Sequence, residues 1–265
     1  MAITPSASSS NTYEDFIKAF YPKSGLDLKF YKQGQMERRI ISFRNAHGFQ
    51  TFPDFLKGLS SDPVLYDAFF KHLTINVSQF FRDANQWVAF REKIVPIIYD
   101  GKNVVKLWSA GCSSGQEPYT MAMTMLNWYP NVKFSVLATD IDVNVIKQAK
   151  EGIYKQNDFA STAPEITKKF FTVSGGNYQV NDTVKRNVNF QHQNLLTDSF
   201  QTGFDCIACR NVVIYFTDEA KTLLYTKFVN SLKPGGILFT GSTEHLFNIS
   251  QLGLKSVSSF FYQKI

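Results

Sequence analysis

The chain has 265 residues, of which 44% are hydrophobic, 15% aromatic and 19% charged, and its formal net charge is +6. This composition supplies enough apolar material for a folded core, and the length predicts one or two domains. No apolar stretch approaches the roughly 20 residues of a membrane-spanning helix, so we expect no insertion into a membrane. Residues 1–11 are rich in Ser and lack the segments of a signal peptide, which predicts a disordered tail. With only three Cys, the chain suits a reducing compartment, and we expect a cytoplasmic protein.

The excess of positive charge is spread along the chain except for one basic stretch. Residues 29–47 carry five Lys and Arg side chains against a single acid. A nucleic-acid-binding protein usually concentrates far more charge than this, so we expect no nucleic-acid partner. An acidic surface on another protein fits better.

The first 75 residues show helical patterns and no strand pattern. We predict helices over 13–21, ended by Pro22-Lys23-Ser24-Gly25, over 28–48, and from Thr51-Phe52-Pro53 and Asp62-Pro63 onwards. In the 28–48 helix Met36, Ile40 and Phe43 share one face, which leaves Arg38 and Arg39 towards solvent. Residues 12–75 are therefore predicted to form a helical domain.

After residue 101 the pattern changes to alternating strands and helices. The predicted strands are 104–109, 134–139, 204–209 and 237–241, and the predicted helices are 117–128, 143–152 and 218–232. Such alternation predicts an α/β fold with a parallel, doubly wound sheet. Residues 260–265 are predicted as a last strand, antiparallel at the edge of that sheet. Residues 169–193 interrupt the alternation and predict a small antiparallel meander of three strands, at 170–173, 178–180 and 188–190.

The loop after the first predicted strand indicates a nucleotide-containing cofactor. It runs Gly111-Cys-Ser-Ser-Gly-Gln-Glu117, and with two glycines it is a degenerate dinucleotide fingerprint. Asp140 ends the second strand 29 residues after Gly111, where a carboxylate can accept hydrogen bonds from both ribose hydroxyls. NAD and S-adenosylmethionine both fit this arrangement. Glu117 favours S-adenosylmethionine, because its charge stands where a pyrophosphate would bind and would attract an ammonium. Considered alone, Glu117 is more simply an acid that suits the first turn of a helix.

Two further polar sites follow predicted strands. The amide of Asn194 can donate and accept hydrogen bonds, which suits the edge of an adenine, although a turn asparagine is an equal alternative. Arg210 and Asn211 end a buried strand, where a charge is costly unless it faces a cavity, so a functional role is favoured over a structural one. Cys206 and Cys209 form a C-x-x-C pattern, but odd spacing in a strand directs them to opposite faces, so we predict no metal site.

Several segments resemble the chemotaxis receptor methyltransferases, the CheR family. They are Thr74–Arg82, Leu107–Tyr119, Ala138–Asp142, Cys209–Phe216, Ser231–Gly236 and Gly241–Glu244. The resemblance implies a receptor-recognition domain over 12–75 and a Rossmann-like class I methyltransferase domain over 76–265, with a β-subdomain at about 169–193. It also implies transfer of a methyl group from S-adenosylmethionine to receptor glutamates, which leaves S-adenosylhomocysteine and uses no metal.

Carried over position by position, the resemblance implies a set of cofactor contacts. These are Asn76, Ser78, Arg82, Glu117, Asp140, Asn194, Leu195, Arg210 and Asn211. The family often has Thr at position 78, and Ser keeps the hydroxyl. A family loop of the form Ala-Ser-Thr-Gly-Glu-Glu is Cys-Ser-Ser-Gly-Gln-Glu here, which leaves Glu117 in place.

The reaction implied by the resemblance needs no general base, because a glutamate side chain with a pKa of about 4.3 is already ionised at neutral pH. Arg82 is a catalytic candidate that could orient a carboxylate by paired hydrogen bonds. Tyr215 is a second candidate, whose hydroxyl could reach the transfer site. The alternatives are an interdomain salt bridge for Arg82 and a core aromatic for Tyr215. The resemblance also makes the 28–48 helix, with Arg38 and Arg39, a docking surface for glutamate-rich receptor helices.

Two other functions stay open at this point. A methyltransferase could act on a nucleic acid or a small molecule, but residues 210–215 lack the prolines of the motif found in amino-methylating nucleic-acid enzymes. A non-catalytic, nucleotide-sensing signalling module is the third function. The retention of Glu117, Asp140 and Arg210 argues against it.

Overall fold

The structure, a computed structural model, describes residues 11–101, 103–244, 246 and 248–265 and divides into two compact units. The first unit contains the residues up to Ile75 and Tyr215–Thr217, and the second contains Asn76–Ile214 and Asp218–Ile265. The predicted tail lies outside the described residues except for Asn11, whose side-chain oxygen accepts a hydrogen bond from the Phe52 amide at 2.7 Å. Within the described ranges, no helix combines the length and the apolar character needed to cross a membrane.

Four helices build the first unit within the described residues, and local caps explain where three of them begin. They are α1 (Tyr13–Ser24), α2 (Gln33–Ala46), α3 (Phe52–Ser61) and α4 (Pro63–Thr74). The hydroxyls of Thr12 and Thr51 each accept a hydrogen bond at 3.2 Å from the amide three residues on. Asp62 accepts from two amides in the first turn of α4, at 2.9 and 3.1 Å. The predicted starts of α3 and α4 are confirmed.

Two helix boundaries in the first unit differ from the prediction. The prediction that Pro22 ends α1 is wrong, because the helix continues to Gly25, whose φ is 67°. Pro22 is exposed, so water can satisfy the carbonyl oxygen that the proline leaves without a donor. The predicted helix over 28–48 begins only at Gln33, because the backbone just before it pairs with residues 215–217.

Aromatic side chains form the core of the first unit. Phe16, Phe55 and Phe69 are fully buried, with 4.9 Å between the ring centroids of Phe55 and Phe69 and 5.6 Å between those of Phe16 and Phe55. The apolar face of α2 that the periodicity predicts is buried as well. Burying one such side chain stabilises the fold by about 1.5–3 kcal/mol, so packing rather than helix propensity holds these helices together.

The two arginines on the polar side of α2 differ in exposure. Arg38 is exposed, and its Nε donates to the Gly34 carbonyl oxygen at 2.7 Å. The expectation that Arg39 faces solvent is wrong. Arg39 is half-buried, its guanidinium donates to the His72 carbonyl oxygen, and its buried Nε has no hydrogen-bond partner in the part of the chain that the structure describes. Arg39 therefore fastens α2 to α4.

A sheet of seven strands forms the centre of the second unit as far as it is described. In pairing order the strands are β6 (Val188–His192), β2 (Phe134–Asp140), β1 (Val105–Ala110), β7 (Phe204–Cys209), β8 (Leu232–Thr240), β10 (Phe261–Lys264) and β9 (Leu254–Ser258). The first five are parallel, and β10 is antiparallel to both its neighbours. The predicted doubly wound α/β fold is confirmed. The edge position of the last strand is wrong, because the unpredicted β9 lies outside β10.

Helices connect these strands. They are α5 (Ala84–Ala89), α6 (Val95–Ile98), α7 (Gln116–Trp128), α8 (Val143–Glu151), α9 (Pro164–Phe170), α10 (Asp182–Lys185) and α11 (Asp218–Ser231). The predicted break at 233–236 lies inside β8 rather than before it. Pro234 is tolerated there because β10 pairs with β8 only from Ile237 onwards, so no ladder hydrogen bond is lost on that side.

A smaller antiparallel sheet in the described residues combines two strands of the predicted meander with a short strand that precedes it. The pairing order is β3 (Ile153–Tyr154), β5 (Asn177–Val180) and β4 (Phe171–Ser174). Residues 188–190 form a strand, but the prediction that this strand is the third of the meander is wrong. Those residues belong to β6 and pair in parallel with β2, because α10 separates them from β5 and Phe190 packs into the main core.

The parallel arrangement determines where functional side chains meet. The carboxyl ends of parallel strands lie at one edge of a sheet, where ligands of such folds bind. Gly111 follows β1, Asp140 ends β2, Arg210 follows β7 and Gly241 follows β8. The residues that the sequence places after strands are therefore collected at this edge.

At the other ends of the strands, the buried carboxylate of Asp205 accepts from the Lys106 amide at 2.7 Å and from Lys233 Nζ at 2.6 Å. We predict that Asp205→Ala lowers the free energy of unfolding by about 1–3 kcal/mol, because a backbone N–H and an ammonium lose their acceptor. Denaturant unfolding followed by circular dichroism measures this. The matched control Asp67→Ala removes an exposed carboxylate and should change stability by less than about 0.5 kcal/mol. Equal midpoints for the two variants would contradict the prediction.

Candidate functional site

The turn after β1 lies in close contact with the turn after β7. Gly111 has a φ of 78°, and a Cβ at this position would lie 2.4 Å from Val212 Cγ2. The amides of Gly111 and Cys112 both donate to the Thr139 carbonyl oxygen, at 2.8 and 2.9 Å. Only glycine meets both demands, so the first glycine of the predicted fingerprint has a steric reason.

Asp140, at the end of β2, is buried and accepts two backbone hydrogen bonds. The Ser113 amide donates to Oδ2 at 2.8 Å, and the Asp142 amide donates to Oδ1 at 3.0 Å. Burial raises the pKa of Asp140, and these two N–H groups oppose the rise. Each oxygen has an acceptor position left, since a carboxylate offers about four in total. The carboxylate therefore fits the two hydroxyls of a ribose.

Asn76, which the resemblance implies as a cofactor contact, lies beside this loop. Its Nδ2 donates to Asp142 Oδ2 at 3.0 Å, and Ser113 Oγ donates to its Oδ1 at 3.4 Å. Asp142 in turn caps α8 through the Asn144 amide at 2.9 Å. Ser78, two residues further on, is half-buried.

The guanidinium of Arg210 joins several elements of the second unit. It is buried, and its nitrogens donate to Gln86 Oε1 at 2.9 Å, to the Arg82 carbonyl oxygen at 2.9 Å, to Asp83 Oδ2 at 3.0 Å and to Glu117 Oε2 at 3.3 Å. The charge expected to face a cavity is thus paired inside the protein. Gln86 was not among the predicted site residues, because its role appears only when α5 and β7 are brought together.

Glu117 is the acid in the first turn of α7, where the sequence predicts a charge that would attract an ammonium. Its Oε1 accepts from Ser109 Oγ at 2.7 Å, and its Oε2 accepts from Arg210. Burial raises the pKa of Glu117, whereas the charge of Arg210, the Ser109 hydroxyl and the charge of Arg82 all oppose the rise. Positive neighbours therefore stabilise the charged form that would hold an ammonium.

Arg82 lies in a loop with an unusual backbone. Phe81 and Asp83, on either side of it, have φ values of 53° and 61°. The Arg82 carbonyl oxygen accepts from Trp87 Nε1 at 3.0 Å as well as from Arg210, and its guanidinium donates to the Val77 carbonyl oxygen at 3.3 Å. The backbone of Arg82 is therefore fixed while the side chain, half-buried, makes a single bond among those described.

Asn194 and Leu195 follow β6 in a turn that is tied to Asp140. The neighbouring Gln193 amide donates to the Asp140 carbonyl oxygen at 2.9 Å. Asn194 Oδ1 accepts from the Leu196 amide at 3.0 Å, and Leu195 is buried. This is the turn-forming use of asparagine that the sequence left as an alternative, and it fixes Asn194 next to the end of β2.

Asn211 has a left-handed backbone, with a φ of 61°, in the turn after β7. The Asn211 amide donates a hydrogen bond at 2.7 Å to Glu244, which was not predicted as a site residue. The Gly241–Glu244 segment is one of those that carry the family resemblance. The sequence alone does not show that this segment lies beside Asn211. Tyr215 belongs to the first unit, where its carbonyl oxygen accepts from the Lys32 amide at 2.9 Å, and its catalytic role stays a prediction.

The three cysteines, all buried, are free, and none belongs to a metal-binding group. Across the described residues, no cluster of three or more His, Cys, Asp or Glu could hold a metal ion. Burial raises the pKa of Cys112 in the glycine turn, which favours the unreactive thiol.

A match to an S-adenosylmethionine-binding methyltransferase domain makes the chain a methyltransferase of this class. The glycine turn after β1, the partly occupied carboxylate that ends β2 and the acid in the first turn of α7 fit such a cofactor. Comparison with protein families narrows the assignment. Residues 76–259 match the S-adenosylmethionine-binding domain of the CheR methyltransferases, and residues 11–74 match their all-alpha domain. The chain belongs to the CheR methyltransferase family, as the resemblance predicts.

Individual relatives are similar over nearly their whole length. The chain is 41% identical over 253 residues to the chemotaxis protein methyltransferase of Listeria monocytogenes, which covers 95% of this chain and 97% of the relative. It is 39% identical over 253 residues to the protein of the same name in Listeria innocua, with the same coverage. For that of Vibrio anguillarum the identity is 34% over 254 residues, covering 91% and 92%.

We predict that Asp140→Ala weakens binding of S-adenosylhomocysteine at least tenfold. The variant removes a charged acceptor for two hydroxyls, and each charged hydrogen bond contributes about 1.5–3 kcal/mol. Titration calorimetry measures the affinity. Asp182→Ala, which removes an exposed carboxylate from α10, is the control. Unchanged affinity in Asp140→Ala would remove this residue from the site.

We predict that cofactor affinity falls on acidification from neutral pH towards 4.5, the ordinary pKa of a glutamate. Because burial raises the pKa of Glu117 above its ordinary 4.5, the acid takes up its proton at a higher pH than a free glutamate and then no longer attracts an ammonium. Glu117→Gln should bind weakly at neutral pH and show a flatter pH dependence, whereas the exposed control Glu219→Gln should behave like wild type. A wild-type affinity that is constant over this range would contradict the assignment.

Proposed function

We propose that the protein transfers a methyl group from S-adenosylmethionine to side-chain carboxylates of glutamates in chemotaxis receptors, in the cytoplasm. It is then a protein-glutamate O-methyltransferase that makes methyl esters for sensory adaptation. The observation that carries the proposal is the pair of carboxylates, buried Asp140 and half-buried Glu117, each with acceptor capacity left for a ligand. Relatives named as chemotaxis protein methyltransferases support methyl transfer in chemotaxis, and the family resemblance implies receptor glutamates as the acceptors.

The proposed roles follow from the chemistry of each side chain. Asp140 holds the ribose hydroxyls, Glu117 holds the ammonium, and Asn194 borders the adenine. Asn76, Ser78, Leu195 and the Arg210–Asn211 turn complete the contacts that the family resemblance implies. When bound, S-adenosylmethionine supplies a methyl group on a positively charged sulfur.

The acceptor needs little activation, since a glutamate side chain is already charged at neutral pH. What the chain must provide is orientation and exclusion of water. Arg82 has one described side-chain hydrogen bond, so its remaining donors are available to orient the acceptor carboxylate. Tyr215 is proposed to line the transfer site.

The proposed docking surface for the receptor is the exposed part of the basic segment, Lys29, Lys32 and Arg38. All three side chains are exposed. Their charge complements receptor helices that carry glutamates, and no more than about 0.2–1 kcal/mol is expected from each exposed pair. Arg39 was expected to share this role, but its bond to the His72 carbonyl oxygen supports a structural role instead.

The test of the proposed function is methyl transfer itself. The protein is incubated with labelled S-adenosylmethionine and cytoplasmic receptor fragments, with Asp140→Ala as the inactive control. Label that enters the receptor and is released by mild base as methanol marks a carboxyl ester and supports the proposal. Base-stable label would indicate another acceptor group, and cofactor binding without any transfer would indicate a nucleotide-sensing module.

We predict that Arg82→Ala lowers kcat for receptor methylation by at least tenfold while the unfolding transition stays close to wild type. The backbone of Arg82 carries the structural bonds, and the variant keeps that backbone. Steady-state kinetics with a receptor fragment measure the effect. Arg186→Ala, an exposed arginine in the same unit, is the control. Turnover near the wild-type value would show that Arg82 is structural only.

We predict that Lys32→Glu combined with Arg38→Glu raises KM for the receptor fragment several-fold and leaves cofactor affinity unchanged. The reversal replaces attraction by repulsion at exposed sites, so added salt should reduce the difference. Lys57→Glu, on the exposed side of α3, is the control for a change of net charge. If methylation is indifferent to both the reversal and salt, the docking surface lies elsewhere.

A further inference from the structure

The turn that follows β7 closes on a single buried carboxylate. Glu244 is 4% exposed, and its two oxygens accept from the amides of Asn211 at 2.7 Å, Val213 at 2.9 Å and Gly241 at 2.9 Å. Burial raises the pKa of Glu244, and these backbone N–H groups oppose the rise. The carboxylate and the amides around it form what we call the Glu244 cradle.

The cradle fixes a backbone conformation that is unfavourable by itself. Asn211 has a φ of 61°, a left-handed conformation that costs free energy for residues other than glycine. The amide of this residue is the one that makes the shortest of the three bonds to Glu244. The hydrogen bonds therefore offset the strain at Asn211 and set the direction in which its side chain leaves the turn.

The Asn211 turn also packs against the glycine turn of the candidate cofactor site. A Cβ on Gly111 would lie only 2.4 Å from Val212 Cγ2, so the Val212 side chain packs against this glycine. Arg210, which pairs with Glu117, directly precedes the turn. A change in the cradle would therefore shift Asn211, Val212 and Arg210. These residues adjoin the cofactor site at the carboxyl edge of the sheet.

We propose that Glu244 is a positioning residue for cofactor binding, which acts through the Asn211 turn without touching the cofactor. This inference rests on the proposed function, because it assigns the turn a role in holding S-adenosylmethionine or S-adenosylhomocysteine. A carboxylate is required at this position. A glutamine amide has the same shape but presents one NH₂ group to the backbone N–H groups, so that donors face donors.

The first variant is Glu244→Gln, with the exposed Glu219→Gln as its matched control. S-adenosylhomocysteine affinity is measured by titration calorimetry, without receptor, and amide hydrogen exchange is followed over 211–213. We expect at least tenfold weaker binding and faster exchange in the turn for Glu244→Gln, and wild-type values for the control. Wild-type affinity in Glu244→Gln overturns the inference, as does weaker binding with unchanged exchange.

A second variant alters the Glu244 cradle without replacing Glu244, and it tests the inference if Glu244→Gln does not fold. A Cβ added in Gly241→Ala would lie 2.7 Å from Glu244 Oε2 and 3.0 Å from the Asn211 amide nitrogen. It should also weaken binding at least tenfold, whereas Gly34→Ala, where a Cβ meets nothing within 4 Å, should not. Wild-type affinity in a folded Gly241→Ala overturns the inference. If wild-type protein itself binds no S-adenosylhomocysteine, the proposed function fails, and not this inference alone.

Discussion

The buried cation of Arg210 is the constraint on which the site depends. A guanidinium that is 6% exposed must find acceptors inside the fold, because an unpaired buried charge is strongly destabilising. Its acceptors come from Glu117, in the first turn of α7, and from residues 82–86, which lead into α5. One residue at the end of β7 thus fixes two other elements relative to each other. The acid that would hold the ammonium and the loop that carries Arg82 cannot shift independently.

Three carboxylates at this edge of the sheet, buried Glu244 and Asp140 and half-buried Glu117, differ in how much of their acceptor capacity the protein uses. Glu244 accepts from three backbone amides at its two oxygens, whereas Asp140 accepts from two and Glu117 from one hydroxyl and Arg210. Burial raises the pKa of all three, and their donors oppose the rise. A carboxylate offers about four acceptor positions. Glu244, which has the least acceptor capacity left, therefore shapes the turn, and Asp140 and Glu117, which accept two bonds each, keep more capacity for a ligand.

Local signals in the sequence predict most of the fold, and the errors fall where distant segments pair. The caps at Thr51 and Asp62 lie next to the helices they start, so these starts are predictable. The start of α2 depends on pairing with residues 215–217, and the partner of residues 188–190 depends on the main sheet, so neither is visible locally. The same holds for the site. Asp140 can be predicted as a site residue because it ends a strand. The hydrogen bond between Gln86 and Arg210 joins residues 124 positions apart and is visible only in the folded chain.

Under the proposed function, the acceptor and the cofactor both lose charge during transfer. A residue that binds the acceptor carboxylate too strongly stabilises the starting state more than the transition state and slows the step. Arg82 is suited to avoid this. Its charge opposes the rise of the Glu117 pKa, so the two side chains attract each other, and one of its donors already bonds to the Val77 carbonyl oxygen. An arginine that already donates to a carbonyl oxygen and lies in the field of an acid binds the acceptor carboxylate less strongly than a guanidinium without these neighbours. The acid that holds one end of the cofactor would then also moderate the cation that orients the acceptor.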